Sequence, residues 1–237
     1  MHKMNFTKDN LVIGIAGDID SDKAKKYVDY VFGDLPMLGK KRKIPKFETL
    51  AKGENFFEME SPQSTVIFGQ RGVSRKEENY FAVRILNYIL GGGGFQSRLY
   101  KEVREKSGLV YSIYAYLIPF ENDGVIIGGF QTRNETVNET ILKVKDQWNM
   151  MKKEGINARE LRDAKTYYKG SFSRNLTSTI SIASLLKVVQ YYDLGRDYFK
   201  KRSEIIDNLK LKDVNLLASE LFNKNDLFFM IVGKRDI

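Results

Sequence analysis

An α+β fold, a mostly antiparallel sheet covered by helices, is predicted by three observations on this 237-residue chain. Strand-like stretches gather early, at residues 55–60, 65–70, 109–118 and 125–132. Apolar residues at helical spacing crowd the later part, and one strand-like stretch, 227–233, closes the chain. Strands grouped early and helices grouped late describe a sheet with helices on one face, whereas a parallel α/β fold would alternate the two throughout.

The elements follow in order. A buried-strand pattern at 11–17 ends on Gly17. Asp20 or Ser21 then caps a helix whose apolar stripe is Ala24, Tyr27, Val28, Val31 and Phe32, and Gly33 stops it. Pattern is lost from Leu35 to about Gly53, where two of the four prolines fall, and this stretch reads as an interdomain connection. After the strands at 55–60 and 65–70, a helix over 75–90 sets Phe81, Ala82, Ile85, Leu86, Ile89 and Leu90 on one face. A shorter helix over 96–106 carries Leu99 and Val103 and ends at Ser107-Gly108. The stretches 109–118 and 125–132, joined through Glu121-Asn122-Asp123-Gly124, form an antiparallel hairpin. Val137, Ile141, Val144, Trp148 and Met151 recur at helical spacing. Asn157 and Glu160 make a capping-box variant that opens a helix through Leu161, Ala164, Tyr168 and Phe172. Residues 180–192, apolar nearly all round, are expected as a buried helix. Val214, Leu217, Ala218 and Leu221 mark the last helix.

Composition bounds the function. With 42% hydrophobic, 29% charged and 12% aromatic residues, the chain is an ordinary globular protein long enough for a full core. No apolar run approaches the roughly 18 residues of a membrane span, and the first ten residues lack the apolar core of a signal peptide. A soluble protein of cytoplasm or periplasm is expected, with the compartment left open. Zero cysteines exclude disulfides, thiolate catalysis and iron–sulfur centres. A single histidine, His2, excludes a two-histidine metal site or a histidine triad built from this chain alone, so no metal is assigned to it. The net charge is +9, but 39 basic residues interleave with 30 acidic ones, and the one basic cluster, 39–46, reads as a solvated linker. A nucleic-acid-binding module is therefore the remote alternative.

Gly91, Gly92, Gly93 and Gly94 invite a phosphate-loop reading, because backbone N–H groups in such loops cradle anions. No Gly-Lys-Ser/Thr follows and the run joins two helices, so it reads as a flexible helix–helix connection. The carboxylate pairs Glu77/Glu78 and Glu102/Glu105 read as solvated helix faces. Tyr111, Tyr114 and Tyr116, without interleaved Arg or Lys, read as sheet packing rather than a base-stacking platform.

A repeat is more specific. Residues 6–20, FTKDNLVIGIAGDID, align without a gap on residues 222–236, FNKNDLFFMIVGKRD, an offset of 216 residues. Each reads as a turn, a strand and a Gly. Residues 1–36 are thus expected to be the tail of a preceding domain, 37–53 a linker, and 54–237 a complete second domain.

The stretch LGGGGFQSRLYKEVREKSGLVYSIYA, residues 90–115, closely resembles the glycine-loop, Ser-Arg-Leu and Arg-Glu-Lys-x-Gly-Leu-x-Tyr-Ser signature of the M16 metallopeptidases. That family, pitrilysin-like or inverzincin, also includes the mitochondrial processing peptidase and the cytochrome bc1 core subunits. NLVIGIAGDIDSDKAKKYVDYVFGDLP, residues 10–36, resembles the end of the family's first domain, and ELRDAKTYYKGSF, residues 160–172, its late helix. The likeness covers essentially the whole chain, and the family's two tandem domains would explain the repeat.

The resemblance implies the carboxyl-terminal, non-zinc half. The family's zinc site, a His-x-x-Glu-His helix with a distal Glu, has no counterpart here. Zinc is expected on a missing or partner half, with which this chain would enclose unfolded peptide; alone it would be inactive. An Arg and a Tyr seven residues apart, which hydrogen-bond substrate backbone in the family, match Arg104 and Tyr111 in REKSGLVY. Both side chains can donate to a polarised peptide carbonyl. In the plainer reading Arg104 complements its helix C-terminus and Tyr111 packs on the sheet. The alternative function is a non-catalytic structural subunit of the bc1-core kind.

Overall fold

The computed structural model describes residues 5–39, 51–223 and 226–234; His2 and the basic run after Gly39 lie outside them. The chain forms two compact units, Met1–Pro45 with Tyr168–Arg202, and Lys46–Tyr167 with Ser203–Ile237. Residues 168–202 group with the opening segment in the smaller unit. Among the described residues the α-helices are α1 (Ser21–Phe32), α2 (Tyr80–Asn87), α3 (Val137–Lys153), α4 (Ala158–Gly170), α5 (Thr179–Tyr191), α6 (Tyr198–Asn208) and α7 (Leu211–Leu221).

The larger unit is built on a sheet of β1 (Gly53–Glu58), β2 (Gln63–Arg71), β3 (Ile113–Pro119), β4 (Gly124–Arg133) and β5 (Phe228–Gly233), in the order β1-β5-β2-β4-β3. Only β1 and β5 run parallel, so the mostly antiparallel α+β expectation holds. Alternation sorts its residues onto two faces. Val66, Phe68, Ile126, Phe130, Phe229 and Ile231 are buried on one. There α3 supplies Trp148, fully buried and edge-on to Phe68 and Phe222 at 5.6 and 6.0 Å. Its indole N–H donates to Gln70 Oε1 at 2.6 Å, which satisfies the one polar atom that burial would otherwise penalise. The β3–β4 turn is the predicted one: Phe120 N–H donates to the Asp123 carbonyl, and Asp123 carboxylate accepts from Gly124 N–H and Arg71.

Several sequence expectations are corrected. Residues 11–16 form no strand. Their counterpart in the repeat, β5, is laddered on both sides by β1 and β2, whereas residues 11–16 meet no such pair among the described residues. A strand persists only where its backbone groups find a ladder. The helix expected from 75 begins at Tyr80, because Ser74 N–H donates to Glu77 Oε1 at 2.6 Å in a turn that precedes it. The strand expected from 109 begins at Ile113, after residues 109–112 have finished turning away from the preceding helix. The helix expected through Phe172 stops at Gly170.

In the smaller unit Asp20 caps α1, accepting from Lys23 N–H at 2.7 Å, as its sequence predicts. No residue of α1 is buried, and Tyr30 is 88% exposed. The same holds for α5, which was expected to be buried: Ile180 is 78% exposed. Its apolar composition calls for cover on all sides, and the described residues cover it only in part: Ile182, Leu185, Leu186, Val188 and Val189 are half-buried, and Gly14 packs against its backbone at Ala183.

Candidate functional site

Arg104 and Tyr111 are brought together by a helix end. The segment Tyr100–Lys106 is wound in the π register, and Gly108 behind it adopts φ +62, a left-handed conformation that glycine takes without steric cost. Gly108 N–H donates to the Arg104 carbonyl at 3.0 Å and Leu109 N–H to the Val103 carbonyl at 3.1 Å. The second bond is one residue longer than in an ordinary Schellman end, as the wider register requires. Leu109 and Val110 are buried and anchor the return. Tyr111, two residues before β3, is left 87% exposed, so the packing reading of that residue is set aside. The Arg104 guanidinium lies 5.6 Å from its ring centre, within cation–π range.

Tyr100 completes the group, and sequence reasoning missed it. Its ring is 6% exposed and lies 4.7 Å from the Arg104 guanidinium, whose Nη1 donates to the Tyr100 hydroxyl. The i, i+4 spacing of Tyr100 and Arg104 on one helix was the available signal. Phe95, 70% exposed, stands edge-on to Tyr100 at 4.9 Å.

The glycine run positions Phe95. It is not the flexible connection expected: Gly91 and Gly92 continue a helical turn, Tyr88–Gly92, in the π register, and Gly94 opens a short 3-10 turn, Gly94–Gln96. A Cβ on Gly91 would lie 2.7 Å from Ala115 Cβ and 2.8 Å from Ala115 N, so only glycine lets this turn approach β3. Equivalent atoms on Gly92 and Gly93 would meet Asn87 Nδ2 and the Tyr88 carbonyl at 3.0 and 2.8 Å. Ser97 Oγ donates to the Gly94 carbonyl at 2.7 Å and fixes the exit.

Arg98, one residue on, clamps this segment to α4. Its Nε and Nη2 donate to the two Glu160 carboxylate oxygens, each at 2.7 Å, and Nη2 also reaches the Gly155 carbonyl at 2.9 Å. Glu160 at the same time accepts from Asn157 N–H, and Asn157 Oδ1 accepts from Glu160 N–H, both at 2.9 Å: the capping box read from the sequence. Burial pushes the Glu160 pKa up. The hydrogen bonds from Arg98 and Asn157, with the charges of Arg98 and Lys101, outweigh it and hold the carboxyl below its ordinary value.

Beside the site lies the second face of the sheet. Register places Tyr114, Gly129, Ile67 and Met230 across it in one row, and Tyr116 and Ile127 in the next. Tyr114 and Tyr116 are exposed and stack at 5.2 Å, so they pack on each other at an open face. β3 is an edge strand. Of the two carboxylate pairs, Glu102 accepts from Lys106 at 2.7 Å and Glu77 accepts from Ser74 N–H.

Among the described residues no three His, Cys, Asp or Glu side chains are placed to hold a metal ion, so the side chains present do not fit a zinc centre. Nor, among the described residues, is any helix long and apolar enough to cross a membrane.

Residues 1–168 match the family model described as the peptidase M16 inactive domain. An uncharacterized zinc protease, YmxG of Bacillus subtilis, is 34% identical over 232 residues, covering 93% of this chain and 53% of that protein. A Helicobacter pylori protein called a non-peptidase homolog, also YmxG, is 29% identical over 235 residues, covering 97% and 53%. The crystal structure of a peptidase M16 inactive domain from Pseudomonas fluorescens superposes with a TM-score of 0.79 at 29% identity, over 93% of this chain and 52% of that one. The chain spans about half the length of the curated relatives it matches. With the sheet, the glycine turn and REKSGLVY already in place, the match over most of the chain makes this protein a member of the peptidase M16 family, corresponding to its inactive domain.

Proposed function

We propose that this chain is the substrate-gripping, non-zinc half of an M16 zinc peptidase, with Arg104 and Tyr111 as its peptide-binding residues. The observation that carries the reading is the approach of these two side chains, seven residues apart in sequence, across the Gly108 turn, the Arg104 guanidinium 5.6 Å from the Tyr111 ring centre. Arg104 has N–H groups beyond the one engaged with Tyr100, and Tyr111 presents its hydroxyl from an exposed position. Together they can hold a peptide carbonyl and the negative charge that builds on it during attack. The open face bearing Tyr114, Tyr116 and Ile67 offers apolar surface to an extended peptide beside them. Zinc belongs, on this reading, to a second M16-type half, on the same polypeptide or another. Residues 1–36 are the tail of that half's domain. The unladdered stretch 11–16 and the incomplete burial of α1 and α5, neither of which has a fully buried residue, support this.

In the protein with both halves, Tyr111→Phe removes one donor and should lower peptide turnover by about 10² to 10³, roughly 3 to 4 kcal/mol. Arg104→Ala should lose at least as much and also weaken peptide binding, because a charged donor contributes more than a neutral one. Melting temperatures should hold, since Tyr111 is exposed and Arg104 half-buried. Steady-state hydrolysis beside melting curves measures both, and wild-type turnover in Tyr111→Phe would return that residue to a passive role. The Helicobacter relative named as a non-peptidase homolog favours a second reading, a structural subunit. In that case neither substitution changes peptide binding.

A further inference from the structure

We infer that Tyr100 is a positioning residue that holds the Arg104 guanidinium in place for peptide, and that the glycine run exists in part to seat Phe95 against it; the inference rests on the proposed role of Arg104. An arginine side chain has four rotatable bonds, and one that must meet a peptide carbonyl in a fixed orientation loses less on binding when it is already held. Here three contacts hold it. Nη1 donates to the Tyr100 hydroxyl, the guanidinium lies 4.7 Å from the Tyr100 ring, and the Tyr111 ring stands 5.6 Å away on a different segment. Tyr100 itself cannot swing aside. It is buried, its backbone N–H faces Ser97 Oγ at 3.4 Å, and Phe95 closes edge-on against its ring. Ser97 Oγ in turn bonds the Gly94 carbonyl. The glycine turn, Phe95, Tyr100 and Arg104 thus form one continuous set of contacts.

The test is a double-mutant cycle in the protein with both halves, read by peptide turnover and by affinity for an unfolded peptide after zinc is chelated. Tyr100→Phe keeps the ring, the cation–π contact and the Phe95 packing, and removes only the oxygen that accepts from Arg104. It should lower kcat/KM and peptide affinity about tenfold, as expected for one hydrogen bond to a charged group. In an Arg104→Ala background the same substitution should have no further effect, because its target is gone. The Arg104 side-chain NMR signal should also show less restricted rotation in Tyr100→Phe, with the melting temperature unchanged. A loss in Arg104→Ala with none in Tyr100→Phe, or losses that simply add, would overturn this inference alone. No loss in Arg104→Ala would overturn the site reading and this inference with it.

Discussion

Arg98 reaches across 62 residues of sequence to Glu160, and the sequence announces only one end of that bond. Asn157 and Glu160 are spaced as a capping box, which is a local signal. Arg98 has no local signal, since its partner is set by tertiary packing. The same division separates Arg104 and Tyr111, joined by a short turn that could be read, from Tyr100, whose role depends on a rotamer. Glu160 makes the pair testable. Its carboxyl titrates below the ordinary 4.5 in the folded chain, so it contributes stability that is complete above the unfolded value and is lost as pH falls through the folded one. Glu160→Gln should therefore cost about 2 kcal/mol near pH 7, the worth of hydrogen bonds to a charged group, and progressively less below about pH 4. Urea denaturation at pH 7 and pH 3 checks this; an equal cost at both would show that the charge contributes nothing.

Elements with a strong period and a partner inside the chain were legible. The Trp148 stripe became α3, the hairpin formed at its predicted turn, and the last strand entered the sheet. What escaped was register and cover. Two helical segments, Tyr88–Gly92 within the glycine turn and Tyr100–Lys106 after it, are wound in the π register, which leaves no mark in an apolar pattern. α5 carried the pattern of a buried helix, but periodicity reports only that a face needs cover, and not which residues provide it. The glycine run shows the same limit: four glycines suggest flexibility, while their neighbours show close packing. Gly91→Ala would force a methyl against the backbone of Ala115 and should destabilise the fold by about 2 kcal/mol, as overpacking does. Since the turn seats Phe95, activity should fall as well. A melting curve matching wild type would show that β3 can yield to the methyl.

At the scale of the whole molecule, two facts are joined by the proposed function. The sequence repeats itself at its two ends, and it spans about half of its curated relatives. Of the repeated segments, one lies in a five-stranded sheet and the other is unladdered. On the proposed function, a chain that grips peptide but does not cut it, the approach of Arg104 to Tyr111 serves the peptide and the zinc belongs to another half. The most direct measurement is hydrolysis of a fluorogenic unfolded peptide by three preparations: this chain, the zinc-bearing M16 half, and the two combined. The account predicts turnover by the combination alone, lowered about 10² to 10³ when the chain carries Tyr111→Phe. Full turnover by the zinc-bearing half without this chain would contradict it.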